Sequence, residues 1–464
     1  MNYNKSFTYF ICLVSAMGGL LFGYDWVVIG GAKPFYELYF DIAGNASSQG
    51  MAMTIALIGC MLGACTCGWL ADRIGRKKLL LISAAIFLLS SIMTGGVSTF
   101  PGFLCARLFG GVGIGLASGL SPMYIAEVAP AQVRGKLVAL NQMTIVLGIL
   151  AAQITNWLIA DPIPVEYTSA DIAASWNGQM AWRWMFWAAA APATVFLVMA
   201  FFIPESPRWL ALKNRYKDAS VILSKIGGTG YAETELHAVK MANEADAQQG
   251  GLKMLFSKPL RRILILGIVI AVFQQWCGTN VIFNYAQEVF QAAGYSVGDV
   301  LFNIVITGIT NVIFTIVAIF TVEKLGRRKL MLFGAAGLCL IYLMMGICYY
   351  LHVTGIGVVL LVVAAIACYA MTLGPCAWIL IAELFPNRVR AAAVATCTFA
   401  LWIGSSTLTF TFPFLNQLLG SYGTFWIYSL ICALGFAFLY RRLPETKGKS
   451  LEQLENELVD KNAK

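Results

Sequence analysis

Twelve apolar runs, most of them longer than 18 residues, dominate the chain; their cores lie near 8–30, 50–71, 79–97, 102–124, 137–160, 183–203, 263–285, 298–321, 330–351, 356–382, 391–414 and 421–440. A helix needs about 20 consecutive apolar residues to cross the hydrocarbon of a bilayer, whereas a barrel strand needs about 10 of alternating polarity. The runs therefore predict an all-α membrane protein with twelve transmembrane helices. Composition agrees: of 464 residues, 59% are hydrophobic and only 12% charged, against about 25% charged in soluble domains. A large water-soluble core does not explain this, because a soluble protein still covers itself with charge.

The net charge is +9, but the basic residues do not form a nucleic-acid surface. They sit in short connectors: Arg73, Arg76, Lys77 and Lys78 after run two, Arg134 and Lys136 after run four, Lys324, Arg327, Arg328 and Lys329 after run eight, and Arg388 and Arg390 after run ten. The alternate connectors are poor in them. The positive-inside rule makes the basic side cytoplasmic, and an even number of spans puts both termini there. The 12 cysteines fall mostly inside apolar runs, as Cys60, Cys65 and Cys67 do. They read as small buried hydrophobes, not a disulfide framework. Two histidines offer little for a His-built metal site, and no metal or cofactor is expected. Lys5 precedes an apolar run with no small-residue cleavage site before Asp25, so the first run reads as a retained span.

Three pairs of segments repeat along the chain. DRIGRKKL ending at Leu79 matches EKLGRRKL ending at Leu330, an offset of 251 residues; IAEVAPAQVR at 125–134 matches IAELFPNRVR at 381–390, offset 256; IPESPR from Ile203 matches LPETKG from Leu443, offset 240. Near-constant offsets imply duplication of a six-span unit. The expected organisation is an N-terminal half over 1–203, a cytoplasmic helical linker over 204–260, a C-terminal half over 261–442 and a cytoplasmic tail over 443–464. Repeats of this kind place a binding site between halves near the bilayer midplane.

Formal charges deep inside the runs are few: Asp25 in the first and Arg107 in the fourth. A charge at the bilayer centre costs about 2.5–3.5 kcal/mol on insertion scales. Either the two form a static ion pair, or Asp25 is a protonation site whose affinity changes with its distance from Arg107. Neutral amides also occur inside runs: Gln142 in the fifth, Gln274, Gln275 and Asn280 in the seventh, and Asn311 in the eighth. Each alone reads as interhelical glue. Together they fit a polyhydroxylated, uncharged ligand, because amides both donate and accept and tryptophan offers an apolar platform for ring C–H groups. No nucleophile–base set, metal cluster or cofactor loop points to an enzyme. The GxxxG from Gly111 to Gly115 reads as close helix packing, and the Asn45-Ala-Ser sequon as chance.

With PESPRWL at 204–210, PETKG at 444–448, FGYD at 22–25 and FQQWCGTN at 273–280, the chain resembles the sugar porter branch of the major facilitator superfamily over nearly its whole length. It is similar to bacterial xylose–proton symporters and to facilitative glucose transporters. The resemblance implies that Phe22, Gln142, Gln274, Gln275, Asn280, Asn311, Gly374, Trp378 and Trp402 bind a monosaccharide, with Gly278 loosening the seventh helix. Leu401 departs from the Asn or Gln carried by relatives. The facilitative transporters have a neutral residue where this chain has Asp25, so Asp25 and Arg107 are expected to couple transport to a proton. The resemblance assigns two charged sets to a cytoplasmic gate that closes in the outward-open state. One is Asp72, Arg73, Arg76, Glu127, Arg134, Glu205 and Arg208; its repeat is Glu323, Arg327, Glu383, Arg390 and Glu445. The expectation is a monomeric monosaccharide–proton symporter in a bacterial inner membrane. The alternatives are a facilitative uniporter, a polyol porter or a sugar sensor.

Overall fold

The computed structural model describes residues 3–164, 166–246, 255–385 and 389–447. Among the described residues every regular element is helical. The membrane-crossing helices are α1 (Lys5–Tyr39), α2 (Ala46–Ile74), α3 (Arg76–Gly96), α4 (Phe100–Val128), α5 (Arg134–Ile159), α6 (Asn177–Ala200), α7 (Leu260–Asn284), α8 (Val297–Leu325), α9 (Arg327–Tyr350) and α10 (Ile356–Glu383). The stretch Arg390–Arg442 is two helices joined at Gly420, whose φ of 66° and ψ of 177° are not helical; they are α11 (390–419) and α12 (421–442). The chain is a multi-pass membrane protein with twelve spans.

Two departures from the expected spans matter. The first run was expected to end near 30, yet α1 continues through Pro34 to Tyr39. Lys33 and Glu37 therefore lie inside a helix, and both are buried. The seventh run is interrupted: a regular helix over Lys258–Trp276 stops, Gly278 adopts a φ of 90°, and a short helix restarts at Thr279. A Cβ on Gly278 would sit 3.0 Å from the Tyr428 ring and 3.2 Å from that of Tyr342. Only glycine reaches this backbone conformation without strain.

Residues pack into two units. The first takes the described residues up to Val28, Ile55–Ala152 and those from Arg183 into the linker; the second takes Ile29–Thr54, Gln153–Trp182 and the described residues beyond the linker. In the first unit α4 lies directly on α2. A Cβ on Gly111 would come within 2.1 Å of Ala56 O, and one on Gly115 within 2.1 Å of Cys60 O. The glycines let two backbones touch, as the GxxxG spacing implies. The described linker forms three helices, Pro207–Leu212, Tyr216–Gly227 and Thr229–Asp246. Asn4 N donates to Ile226 O at 2.7 Å, tying the start of the chain to the second of them.

In the second unit, the last third of α1 runs against the restart of α7. A Cβ on Gly30 would be 2.8 Å from Phe283 O. Gln153 of α5 donates to Thr307 Oγ1 of α8 at 3.4 Å, and the Trp157 and Phe302 rings lie 5.7 Å apart. Four of the first six helices thus contribute one end to each packing unit: α1, α2, α5 and α6.

Candidate functional site

In the first unit Asp25 and Arg107 meet. Arg107 Nη1 donates to Asp25 Oδ1, and the residues are 3% and 7% exposed, Arg107 and Asp25 respectively. The guanidinium also lies 5.3 Å from the centre of the Phe186 ring. Two opposite charges expected from sequence alone are therefore one buried pair between α1 and α4. Leaving either alone would strand a charge where water is scarce, at roughly 3–5 kcal/mol. Phe22, one turn before Asp25, meets Trp26 edge-on at 5.4 Å. Gln142, on α5, is exposed in this unit, while its neighbour Asn141 is buried.

The second unit gathers the α7 amides into a chain. Asn280 Nδ2 donates to Gln275 Oε1, Gln275 Nε2 donates to Gln274 Oε1 at 2.7 Å, and Gln274 Nε2 donates to Gly374 O at 3.4 Å. The break at Gly278 makes this possible. Asn280 follows the break and reaches back five residues to Gln275, a distance an uninterrupted helix would not close on one face. Asn311 of α8 is 6% exposed and Trp402 of α11 is 3% exposed. Trp378, four residues beyond Gly374, is 40% exposed. The neighbouring Trp276 donates from Nε1 to Gly404 O at 2.9 Å, fixing α7 to α11. Leu401 is buried at 3% and offers no polar group beside Trp402. A run of neutral donors and acceptors suits a ligand rich in hydroxyls and poor in charge.

The charged connector sets fold into two matching clusters. In the first unit Arg76 Nη2 lies 2.9 Å from Glu127 Oε1, and Nη1 lies 3.0 Å from Asp72 Oδ1. Glu205 Oε1 accepts from the backbone N–H of Arg76 at 2.8 Å and of Lys77 at 3.1 Å. In the second unit Arg327 Nη2 lies 3.1 Å from Glu383 Oε1, and Glu445 Oε1 accepts from Arg327 N at 3.0 Å. The glycine before each arginine has a φ near 90°: 98° at Gly75 and 88° at Gly326. The sequence repeat is thus a repeat of hydrogen bonds. Arg134 and Arg390 are placed alike, each reaching back to a carbonyl: Arg134 Nε donates to Ala129 O at 3.4 Å and Arg390 Nε to Phe385 O at 3.2 Å. Arg73 is exposed and lies over the Trp69 ring at 5.4 Å. Arg208 is exposed at the first turn of its linker helix. The Glu323 side chain lies outside the described residues.

Sequence reasoning missed a third charged group, Lys33, Glu37 and Glu288, all inside the second unit. The signal was present: Lys33 and Glu37 are an i, i+4 pair immediately after the first apolar run. Ending the span at the last apolar residue hid it. Arg183 of α6 was missed as well. It is 7% exposed and donates from Nη1 to Gly95 O and Val97 O, both at 2.7 Å, holding the end of α3.

Residues 11–458 match the family model for "Sugar (and other) transporter". The D-xylose-proton symporter of Escherichia coli (strain K12) is 36% identical over 98% of this chain and 96% of its own length. The arabinose-proton symporter of Bacillus subtilis (strain 168) is 34% identical over 98% and 96% respectively. Among solved structures, the inward open conformation of the xylose transporter from E. coli matches with a TM-score of 0.84 and 33% identity, covering 97% of this chain and 100% of that one.

Proposed function

Because the chain belongs to the sugar transporter family within the major facilitator superfamily, we propose that it carries a monosaccharide, a pentose or a hexose, across the membrane by alternating access, together with a proton. The observation that carries the proton is the buried Asp25–Arg107 pair. A carboxylate held by one base inside the bundle releases its proton when the base is close and takes one when the base withdraws. Relatives similar over their full lengths are symporters of xylose and arabinose with protons, which supports the same coupling here. Moving one charge across 100 mV supplies about 2.3 kcal/mol, which sustains very roughly a 50-fold sugar gradient at about 1.4 kcal/mol per tenfold.

The sugar is bound by Gln274, Gln275 and Asn280, with Asn311, Gly374, Trp378 and Trp402 from the same half and Phe22 and Gln142 from the other. The chain comprises an N-terminal half over 1–203, a linker over 204–260, a C-terminal half over 261–442 and a tail over 443–464. Both termini face the cytoplasm of a bacterial cell, placing the Arg76 and Arg327 clusters on the cytoplasmic side and the Tyr39 end of α1 outside. Within each cluster the buried arginine braces its own half. The exposed members, Asp72, Arg73, Arg134 and Arg208, are the groups that exchange partners as the cytoplasmic side opens and shuts. The protein works as a monomer and transforms no substrate.

The deciding experiment is uptake of a panel of radiolabelled pentoses, hexoses and polyols into proteoliposomes bearing an inward-directed proton gradient. One sugar should accumulate and the external medium should become alkaline. Uptake without alkalinisation would establish a uniporter instead.

A further inference from the structure

The Lys33, Glu37 and Glu288 cluster serves neither the amide chain nor the Asp25–Arg107 pair. Lys33 is 2% exposed and Glu37 5%, and the Glu288 side chain is 21% exposed. Lys33 Nζ lies 2.9 Å from Glu37 Oε1, one turn further along α1. It also donates to Glu288 Oε1, in the short helix Ala286–Ala292 that follows α7. The ammonium sits 5.6 Å from the centre of the Tyr285 ring. Gln49 of α2 donates from Nε2 to Glu37 Oε2 at 3.0 Å. Glu288 Oε2 is buried with no hydrogen-bond partner among the described residues.

The charge arithmetic is uneven. Lys33 and Glu37 already make a neutral pair within one helix. Glu288 adds a second acid to the same ammonium, so the fully ionised cluster carries one net negative charge in a place with little water. A buried uncompensated charge is costly, and a purely structural pair would omit it. What Glu288 contributes is a tie between chain segments. Lys33 belongs to α1, Glu288 to the segment beyond α7, and the two backbones already touch at Gly30 and Phe283. A proton on Glu288 cancels the attraction across the segments and leaves the Lys33–Glu37 pair intact. The tie is then released without stranding a charge.

We propose that Lys33, Glu37 and Glu288 form a proton-released latch at the outer end of the transporter, separate from the Asp25–Arg107 pair. The assignment to the outer end rests on the transport and orientation reading above. Its ligand is a proton from the external water, delivered to a Glu288 carboxylate oxygen. External acid undoes the tie, so the outer face opens where protons are abundant. Among the described residues the charged and titratable groups facing the cluster are Lys33, Tyr36 and Glu37 from α1 and Tyr285 and Glu288 from the α7 side; Tyr428 of α12 adjoins Tyr285. Tyr36 donates its hydroxyl to Met53 Sδ at 3.3 Å and Tyr285 to Thr409 O at 2.6 Å, so both phenols are otherwise engaged.

The test uses the full chain in liposomes of phosphatidylethanolamine and phosphatidylglycerol. The exposed thiols are removed by Cys65→Ser and Cys105→Ser. Spin labels are attached at Gly44→Cys and Gln291→Cys, both exposed positions outside the cluster. Pulsed electron resonance reads the distance between them from about pH 8 down to about pH 4, so that the scan passes below the value of about 4.3 of a free glutamate. The wild type should shift from a short to a long distance on acidification, with the ratio of the two populations changing at least about tenfold. Glu288→Gln should show the long distance at every pH. Glu37→Gln, which leaves Glu288 as the one acid paired with Lys33, should hold the short distance to a lower pH than the wild type, because protonating Glu288 then strands the ammonium. A wild-type distribution indifferent to pH overturns the proposal, and so does Glu288→Gln matching the wild type. If Glu288→Gln does not fold, the wild-type titration and Glu37→Gln still decide. The readout needs no sugar. Failure of the wild type to move D-xylose or any sugar of the panel would overturn the transport reading, while the distance titration judges the latch on its own.

Discussion

Arg107 Nη1 donates to Asp25 Oδ1 across the α1–α4 contact, and the Phe186 ring backs the guanidinium at 5.3 Å. The pair is closed on one side by an aromatic face, so the carboxylate has one strong partner and little water. The proposed coupling to a proton rests on this pair.

Replacing the acid separates coupling from carriage. Asp25→Asn keeps the shape of the side chain but binds no proton. It should abolish accumulation against a gradient while sparing sugar exchange between equal pools, measured as counterflow in proteoliposomes. Accumulation that survives the substitution sinks the coupling role. Arg107→Met should also lose accumulation, and should lower thermal stability, because it leaves a buried carboxylate alone at roughly 3–5 kcal/mol.

The amide chain predicts an affinity effect. Gln275 both accepts from Asn280 and donates to Gln274, so Gln275→Ala removes a proposed sugar contact and takes the partner from two neighbours. Leaving buried polar groups unsatisfied costs about 1–3 kcal/mol, which is roughly 5- to 150-fold in sugar affinity. Titration calorimetry on purified protein checks it. An unchanged dissociation constant at normal protein yield returns Gln275 to the role of helix glue.

The glycine at the α7 break should be irreplaceable. Gly278→Ala would force a side chain into a φ of 90° and against Tyr428 and Tyr342, a backbone cost of about 1–2 kcal/mol before any clash. Lower melting temperature and weaker sugar binding should appear together, because the restart of α7 carries Asn280. Gly68→Ala, at a position with open space around it, serves as the silent control.

The two basic clusters predict a contrast between neighbours. Arg76 is 5% exposed and bound to Glu127, Asp72 and the Ala71 carbonyl; Arg73 is exposed. Arg76→Ala should lower the melting temperature by several degrees, in keeping with loss of a buried pair. Arg73→Ala should leave it nearly unchanged, as exposed charges contribute about 0–1 kcal/mol. Equal effects would show that burial does not rank these arginines.

Much of this was legible in the sequence, for identifiable reasons. Span number follows from run length, and run length is a direct response to bilayer thickness. The paired positions of Arg76 and Arg327, and of Glu205 and Glu445, were legible because duplication leaves an offset. The break at Gly278 was legible through the family resemblance. The extension of α1 was not, because Lys33, Pro34 and Glu37 look like the end of a span until their partner Glu288 is known. That partner lies 255 residues away, beyond any local pattern. Nor did the sequence reveal that Arg134 and Arg390 turn back to carbonyls five residues upstream, since spacing fixes the position of a guanidinium and not its contacts.

The contact of α4 with α2 also limits what natural variation can do. At Gly59, Gly63, Gly111 and Gly115 a single added carbon would lie within 2.3 Å of a carbonyl oxygen on the facing helix. No rotamer relieves that clash, since the offending atom is the Cβ itself. At Gly68, Gly96 and Gly135 nothing lies within 4 Å. Over generations the first four should stay fixed while the last three drift to alanine and serine. Selection then reads this seam as a rule about backbone spacing, blind to which sugar the descendant carries.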